Sequence, residues 1–184
     1  MKVFIFHCWG GNSRDCWRGW LADTLRAKGI EVVAPDFPST DNPKLEEWLA
    51  AVRQNVPKFD PADGWIFVAH SLGCPTVLRL LETFGPDEKV SAAILVAAFA
   101  KDVGIFQIKN FVSRPFKWKK IKAGCGRFIV INSDNDPYIP LAEGDRMAEQ
   151  LGAELIMEHG AGHLNAGSGF ATYGRLPEII EKLR

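Results

Sequence analysis

Six short apolar runs punctuate the chain, at residues 3–6, 30–34, 65–69, 90–98, 127–132 and 154–157. Runs of this length with few polar interruptions predict strands buried on both faces, as a parallel sheet demands. Between them the spacing of apolar positions changes. Trp17, Trp20, Leu21 and Leu25 fall three and four residues apart, as do Leu45, Trp48, Leu49 and Val52, and later Val77, Leu78, Leu80 and Leu81. Each set gathers on one face of a helix, and residues 141–151 and 176–183 predict two more helices. The punctuation agrees: Gly29 stops the first helix, Pro35 and Pro38 halt the second strand, Asn42-Pro43 opens the second helix, Pro57 and Pro61 end it, and Gly85-Pro86 closes the third. Alternating strand and helix patterns predict an α/β fold, a six-stranded parallel sheet with helices on both faces. The pattern breaks between 101 and 123, where Gly104, Pro115, aromatics and lysines interleave. That stretch predicts a short lid on an otherwise regular single domain spanning 1–184.

Composition narrows the functional classes. A chain of 184 residues with 47% hydrophobic and 24% charged side chains can bury one ordinary core. With 22 basic and 22 acidic residues it carries no net field that would draw it to nucleic acid or an anionic membrane. Lys117-Trp118-Lys119-Lys120 reads as a solvated face. Cys8, Cys16, Cys74 and Cys125 include no Cys-x-x-Cys pair, which argues against a zinc site and a disulfide framework and for a reducing compartment. No run has the length of a membrane span or of a signal-peptide core, so a cytoplasmic protein without membrane or nucleic-acid partners is expected. Gly10-Gly11-Asn12-Ser13-Arg14-Asp15 fits neither the dinucleotide fingerprint nor the P-loop, and no cofactor or metal is expected.

The chemistry concentrates at Ala69-His70-Ser71-Leu72-Gly73, between a predicted strand and a predicted helix. A serine at such a turn, with small residues two before and two after it, is the nucleophile elbow of α/β-hydrolases; alanine here replaces the usual first glycine. A serine hydroxyl is a poor nucleophile at neutral pH. It needs an imidazole to take its proton and a carboxylate to hold that imidazole in the correct tautomer. In parallel sheets these groups collect beyond the carboxyl ends of the strands, and Ser71, Asp136 and His163 occur there in the Ser, Asp, His order of this fold. His163 sits in a glycine-rich turn that can fold back over the serine. His159 competes with it as a loop histidine, while His7 and His70 are too close in sequence to the proposed oxyanion loop and nucleophile. For the acid, Asp134 is better suited to capping its turn and Asp102 is the remaining competitor. Two backbone N–H groups must face the developing oxyanion, and Leu72 and Trp9 are placed to supply them. Trp9, Phe37, Phe106, Phe111 and Trp118 are candidates to line the pocket. Cys8 and Cys74 flank the site and read as packing residues.

The chain resembles the small serine hydrolases related to retinoblastoma-binding protein nine. The resemblance covers most of its length and rests on Trp17-Arg18-Gly19-Trp20, on His70-Ser71-Leu72-Gly73, on Ser113-Arg114-Pro115-Phe116-Lys117-Trp118 with Ile121-Lys122-Ala123, and on Asp136-Pro137-Tyr138-Ile139-Pro140 with Gly162-His163. It implies a minimal α/β-hydrolase fold, a triad of Ser71, Asp136 and His163, and hydrolysis of small esters or amides. The retinoblastoma-binding motif does not carry over: Thr76 stands where its glutamate belongs, so that partner is not expected. Two other classes compete with the hydrolase. One is a binding or scaffold protein that keeps the fold without turnover; the other is a flavin- or nucleotide-binding domain, which the missing phosphate loop disfavours.

Overall fold

The apolar runs become strands whose side chains feed two cores. In the computed structural model, which describes residues 1–183, the elements follow as β1 (Lys2–Phe6), α1 (Cys16–Ala27), β2 (Glu31–Val33), α2 (Leu45–Asn55), β3 (Trp65–His70), α3 (Gly73–Leu81), β4 (Val90–Val96), α4 (Trp118–Ala123), β5 (Cys125–Ser133), α5 (Leu141–Leu151), β6 (Glu154–Glu158) and α6 (Arg175–Lys182). The strands pair in parallel in the order β2-β1-β3-β4-β5-β6. Alternation along each strand sends Phe4, Phe6, Trp65, Phe67, Ala69, Phe128 and Val130 to one face, where α2 to α5 cover them. Val3, Ile5, Ile66, Val68, Ile129 and Ile131 go to the other, under Trp17, Leu21 and Leu25 of α1 and Leu176 and Ile180 of α6.

The winding direction reverses at β1. From β1 the chain moves outward to β2, then returns to lay β3 against the other side of β1. The loops leaving β1 and β3 therefore part in opposite directions and open a crevice at their carboxyl ends. The residues from His7 to Asn12 and the Ser71 turn border that crevice.

Several boundaries differ from the sequence expectation for local reasons. β4 stops at Val96 because Ala97 takes a left-handed backbone (φ +51°) and the Asn132 side chain pairs both backbone groups of Ala98, at 3.0 and 3.1 Å. The segment 101–123, whose folding periodicity left open, forms a 3-10 helix at Phe106–Phe111 followed by α4. Buried polar side chains anchor it from below. Glu143 of α5 accepts the Ala100 and Lys101 N–H groups, both at 3.1 Å. Arg79 of α3 donates to the Phe111, Arg114 and Pro115 carbonyls. Among the described residues, no helix is long and apolar enough to cross a membrane.

Candidate active site

The elbow forms because β3 and α3 meet with one residue forced out of both. Ser71 has φ +53°, a conformation that costs a non-glycine residue of order 1–3 kcal/mol. Its N–H donates to the Val96 carbonyl at 2.9 Å and its carbonyl accepts from Cys74 at 2.8 Å. Those bonds tie the strained residue to the neighbouring strand and to the first turn of α3. Gly73 lets α3 cross the end of β1: a Cβ there would lie 2.8 Å from the Phe6 carbonyl oxygen and 3.0 Å from that of His7. The expected need for a small residue two beyond the serine thus has a specific cause, contact with β1.

The loops after β5 and β6 are joined residue by residue. Asp134 Oδ1 accepts from Gly160 N–H at 2.8 Å, Ser133 Oγ accepts from Ala161 N–H at 3.1 Å, and Asn135 Oδ1 accepts from Gly162 N–H at 2.7 Å. Asp136 then completes the series: its Oδ2 lies 2.8 Å from Nδ1 of His163. The other carboxylate oxygen of Asp136 accepts the Tyr138 and Ile139 N–H groups at 2.9 and 3.1 Å, so the acid is fully buried and oriented at both oxygens. Gly162 (φ +53°) has no space for a side chain, because a Cβ would meet Ser168 Oγ at 2.4 Å. That same Ser168 hydroxyl accepts the His163 N–H at 3.1 Å. Asp134 also pairs with exposed His159 at 2.7 Å, and its carboxyl is held below the usual range first by the Gly160 N–H and then by this imidazole. Asp102 caps a remote turn at Gly104 N–H.

Hydrogen bonding sets the tautomers of the two buried histidines beside the site. His7 Nδ1 donates to the Cys8 carbonyl at 2.9 Å, and its Nε2 accepts from Phe37 N–H at 2.8 Å. His70 Nε2 donates to the His163 carbonyl at 2.9 Å, and its Nδ1 accepts from Arg18 at 2.8 Å. Neither can be charged without losing a bond. Burial lowers the pKa of both, most strongly that of His70. Burial likewise pushes the Cys8 thiol up, with Arg18 acting in the opposite sense, which favours the neutral thiol.

A pocket of about 190 Å³ brings Ser71 and His163 together with Cys8, Trp9, Ile105, Ile108, Tyr138, Ile139 and Asn165. Of the aromatic residues expected to line it, Trp9 does so. The other four lie elsewhere. Phe37 stacks between Phe6 and Trp48 in the core, Phe111 is fully buried against Trp48, Phe106 is 85% exposed beyond the pocket, and Trp118 packs on Phe116. Aliphatic Ile105 and Ile108, from the 101–123 stretch, take the places expected of aromatics. Among the described residues, neither Trp9 N–H nor Leu72 N–H donates to a backbone carbonyl. Sequence reasoning missed Arg18, Ser168, Asn165 and the isoleucines. Arg18 carried the clearest signal, a cation inside an otherwise apolar helix face.

These features define a serine hydrolase on an α/β-hydrolase fold, and the comparisons agree: the serine hydrolase family matches residues 3–184, so the chain belongs to that family. It is 30% identical to YdeN of Bacillus subtilis (strain 168), over 99% of this chain and 94% of that one. Serine hydrolase RBBP9 of Rattus norvegicus is 30% identical over 80% of this chain and 77% of its own length. The crystal structure of the ydeN gene product superimposes with a TM-score of 0.90, covering 99% of this chain and 97% of that one.

Proposed function

We propose that the protein cleaves small ester or amide substrates through an acyl-enzyme formed on Ser71, as one domain whose segment 101–123 roofs the pocket as a short lid. His163 takes the Ser71 proton as the hydroxyl attacks the carbonyl, then returns it to the leaving group. Asp136 holds the Nδ1–H tautomer of His163 and stabilises the imidazolium as it forms. The Trp9 and Leu72 N–H groups receive the tetrahedral oxyanion, each such donor being worth about 10²–10³ in rate. Water on the acyl-enzyme then releases the acid by the same steps. The observation that carries this reading is the Asp136–His163 contact at 2.8 Å, which leaves Nε2 as the acceptor nitrogen in the pocket of Ser71. The small, mainly apolar pocket favours short uncharged acyl groups over long lipid chains.

Intact-mass analysis after exposure to a fluorophosphonate tests the assignment. A single adduct on Ser71 is expected, absent in Ser71→Ala and greatly slowed in His163→Ala. Asp136→Asn, which keeps the shape and favours the wrong tautomer, lowers kcat about 10⁴-fold. A folded native protein that takes no label under conditions that label a control hydrolase would instead support a binding protein with the hydrolase fold.

A further inference from the structure

Behind the site lies a buried cation that the proposed chemistry does not use. Arg18 of α1 is 2% exposed, and its nearest carboxylate, Asp15, stands at 3.9 Å and is itself 46% exposed. Burying a guanidinium without a close counter-charge is costly, so the partners it does have are informative. Its Nη1 donates to His70 Nδ1 at 2.8 Å and its Nε donates to the Asn12 carbonyl at 3.3 Å. The fully buried His70 precedes Ser71 in the chain, and it donates through Nε2 to the His163 carbonyl at 2.9 Å.

We propose that Arg18 is a positioning residue: acting through His70, it holds the base loop at His163 in register with the nucleophile turn at Ser71. This rests on the assignment of His163 as base. The proton logic runs in one direction. Arginine stays protonated and has no acceptor, so His70 Nδ1 must be bare and its only proton must sit on Nε2, where it reaches the His163 carbonyl. Asp136 holds the His163 ring, Ser168 holds its N–H, and His70 holds its carbonyl. The Asn12 contact extends the same cation to the loop that carries Trp9. The charged and titratable groups that act on His70 are Arg18 and His163; Cys8 and Asp15 approach the guanidinium instead, and the Trp17 ring meets the imidazole edge-on at 5.5 Å. Burial, then Arg18, then His163 hold His70 well below the ordinary histidine value, so the tautomer persists across neutral pH.

The test combines ring-nitrogen NMR of His70 between pH 5 and 8, where an ordinary histidine titrates, with fluorophosphonate labelling and the kcat and KM for p-nitrophenyl butyrate. Native His70 keeps the Nε2–H form throughout. Arg18→Met, which replaces a buried charge by an apolar chain of similar reach, lowers labelling rate and kcat on the order of 10–100-fold, the cost of a small misplacement, with KM unchanged and the Nδ1–H form of His70 now populated. Arg18→Lys restores part of the loss, since one ammonium cannot serve His70 and Asn12 in the guanidinium's fixed geometry. His70→Asn retains an acceptor for Arg18 but falls short of the His163 carbonyl, and lowers the rate similarly. Native rates in folded Arg18→Met or folded His70→Asn, or a native His70 that titrates or carries a proton on Nδ1, would overturn the inference. A native protein that takes no label while showing the Nε2–H form would overturn the hydrolase reading, and with it the catalytic meaning of the contact, while leaving the contact itself observed.

Discussion

Ser71 holds a left-handed backbone that serine rarely adopts, and the residues around it exist to make that tolerable. Its N–H is taken by Val96 and its carbonyl by Cys74, while Gly73 lets the following helix pass the end of β1. Gly73→Ala therefore forces a methyl onto the Phe6 and His7 carbonyl oxygens at the end of β1, backbone atoms that cannot yield as a flexible side chain would. Overpacking of this kind costs typically 1–3 kcal/mol. We expect a loss of that size in denaturant unfolding, together with slower labelling of Ser71 as the elbow shifts. An unchanged midpoint would show that α3 can tilt away freely. The sharp turn at Ser71 and the need for a small residue after it were legible in the sequence. The collision partner was not, because Phe6 and His7 lie more than sixty residues away and meet Gly73 through strand pairing alone.

At the scale of elements, the stretch between β4 and β5 has no periodicity of its own because its shape is imposed from below. Arg79 of α3 is fully buried, lies 3.7 Å from the Phe116 ring centroid and donates to three carbonyls of the stretch. Glu82, one turn on, pairs with Arg79 and accepts the Lys117 N–H at 2.6 Å. Breaking a buried pair costs about 3–5 kcal/mol, and the half-exposed Arg114, 3.2 Å from Glu82, offsets only part of the loss. Arg79→Ala should therefore destabilise the protein by that order and raise amide hydrogen exchange at residues 111–117 more than in the sheet. Equal protection in the variant would mean that apolar contacts alone hold the stretch. Since Ile105 and Ile108 reach the pocket from this region, the clamp bears on the width of the site as well as on stability.

For the whole molecule, the buried neutral histidines set a direction for stability against pH. His7 and His70 are both fully buried and both have lowered pKa values, chiefly through burial. Unfolding returns them to about 6.5. Below that pH the unfolded chain binds protons that the native state refuses, so stability falls as pH decreases through this range. The slope approaches about 1.4 kcal/mol per pH unit for each histidine. Carboxylates held low in the fold, such as Asp36 and Asp134, lose their contribution further down, from about pH 4. Urea unfolding from pH 8 to pH 5 should thus show a decline well above the carboxylate range; a flat profile would mean the two histidines take up protons within the native state.

Period and punctuation along the chain determined the class of fold, the succession of strands and helices, and the order of Ser71, Asp136 and His163, because each depends on local geometry or on chain order. Tertiary structure decided what depends on distant groups sharing space. It drew four of the five expected aromatic residues away from the pocket, since packing against other rings or exposure to solvent met their demands elsewhere. It put isoleucines from a patternless stretch beside the serine, and it shortened β4 by pairing Ala98 with a side chain. It also turned an arginine on a tryptophan-rich helix into the partner of the histidine that precedes Ser71. A sequence reports which side chains prefer burial, whereas the proton on His70 follows from which nitrogen faces a cation and which faces a carbonyl, and that is set only when the helix, the elbow and the base loop meet.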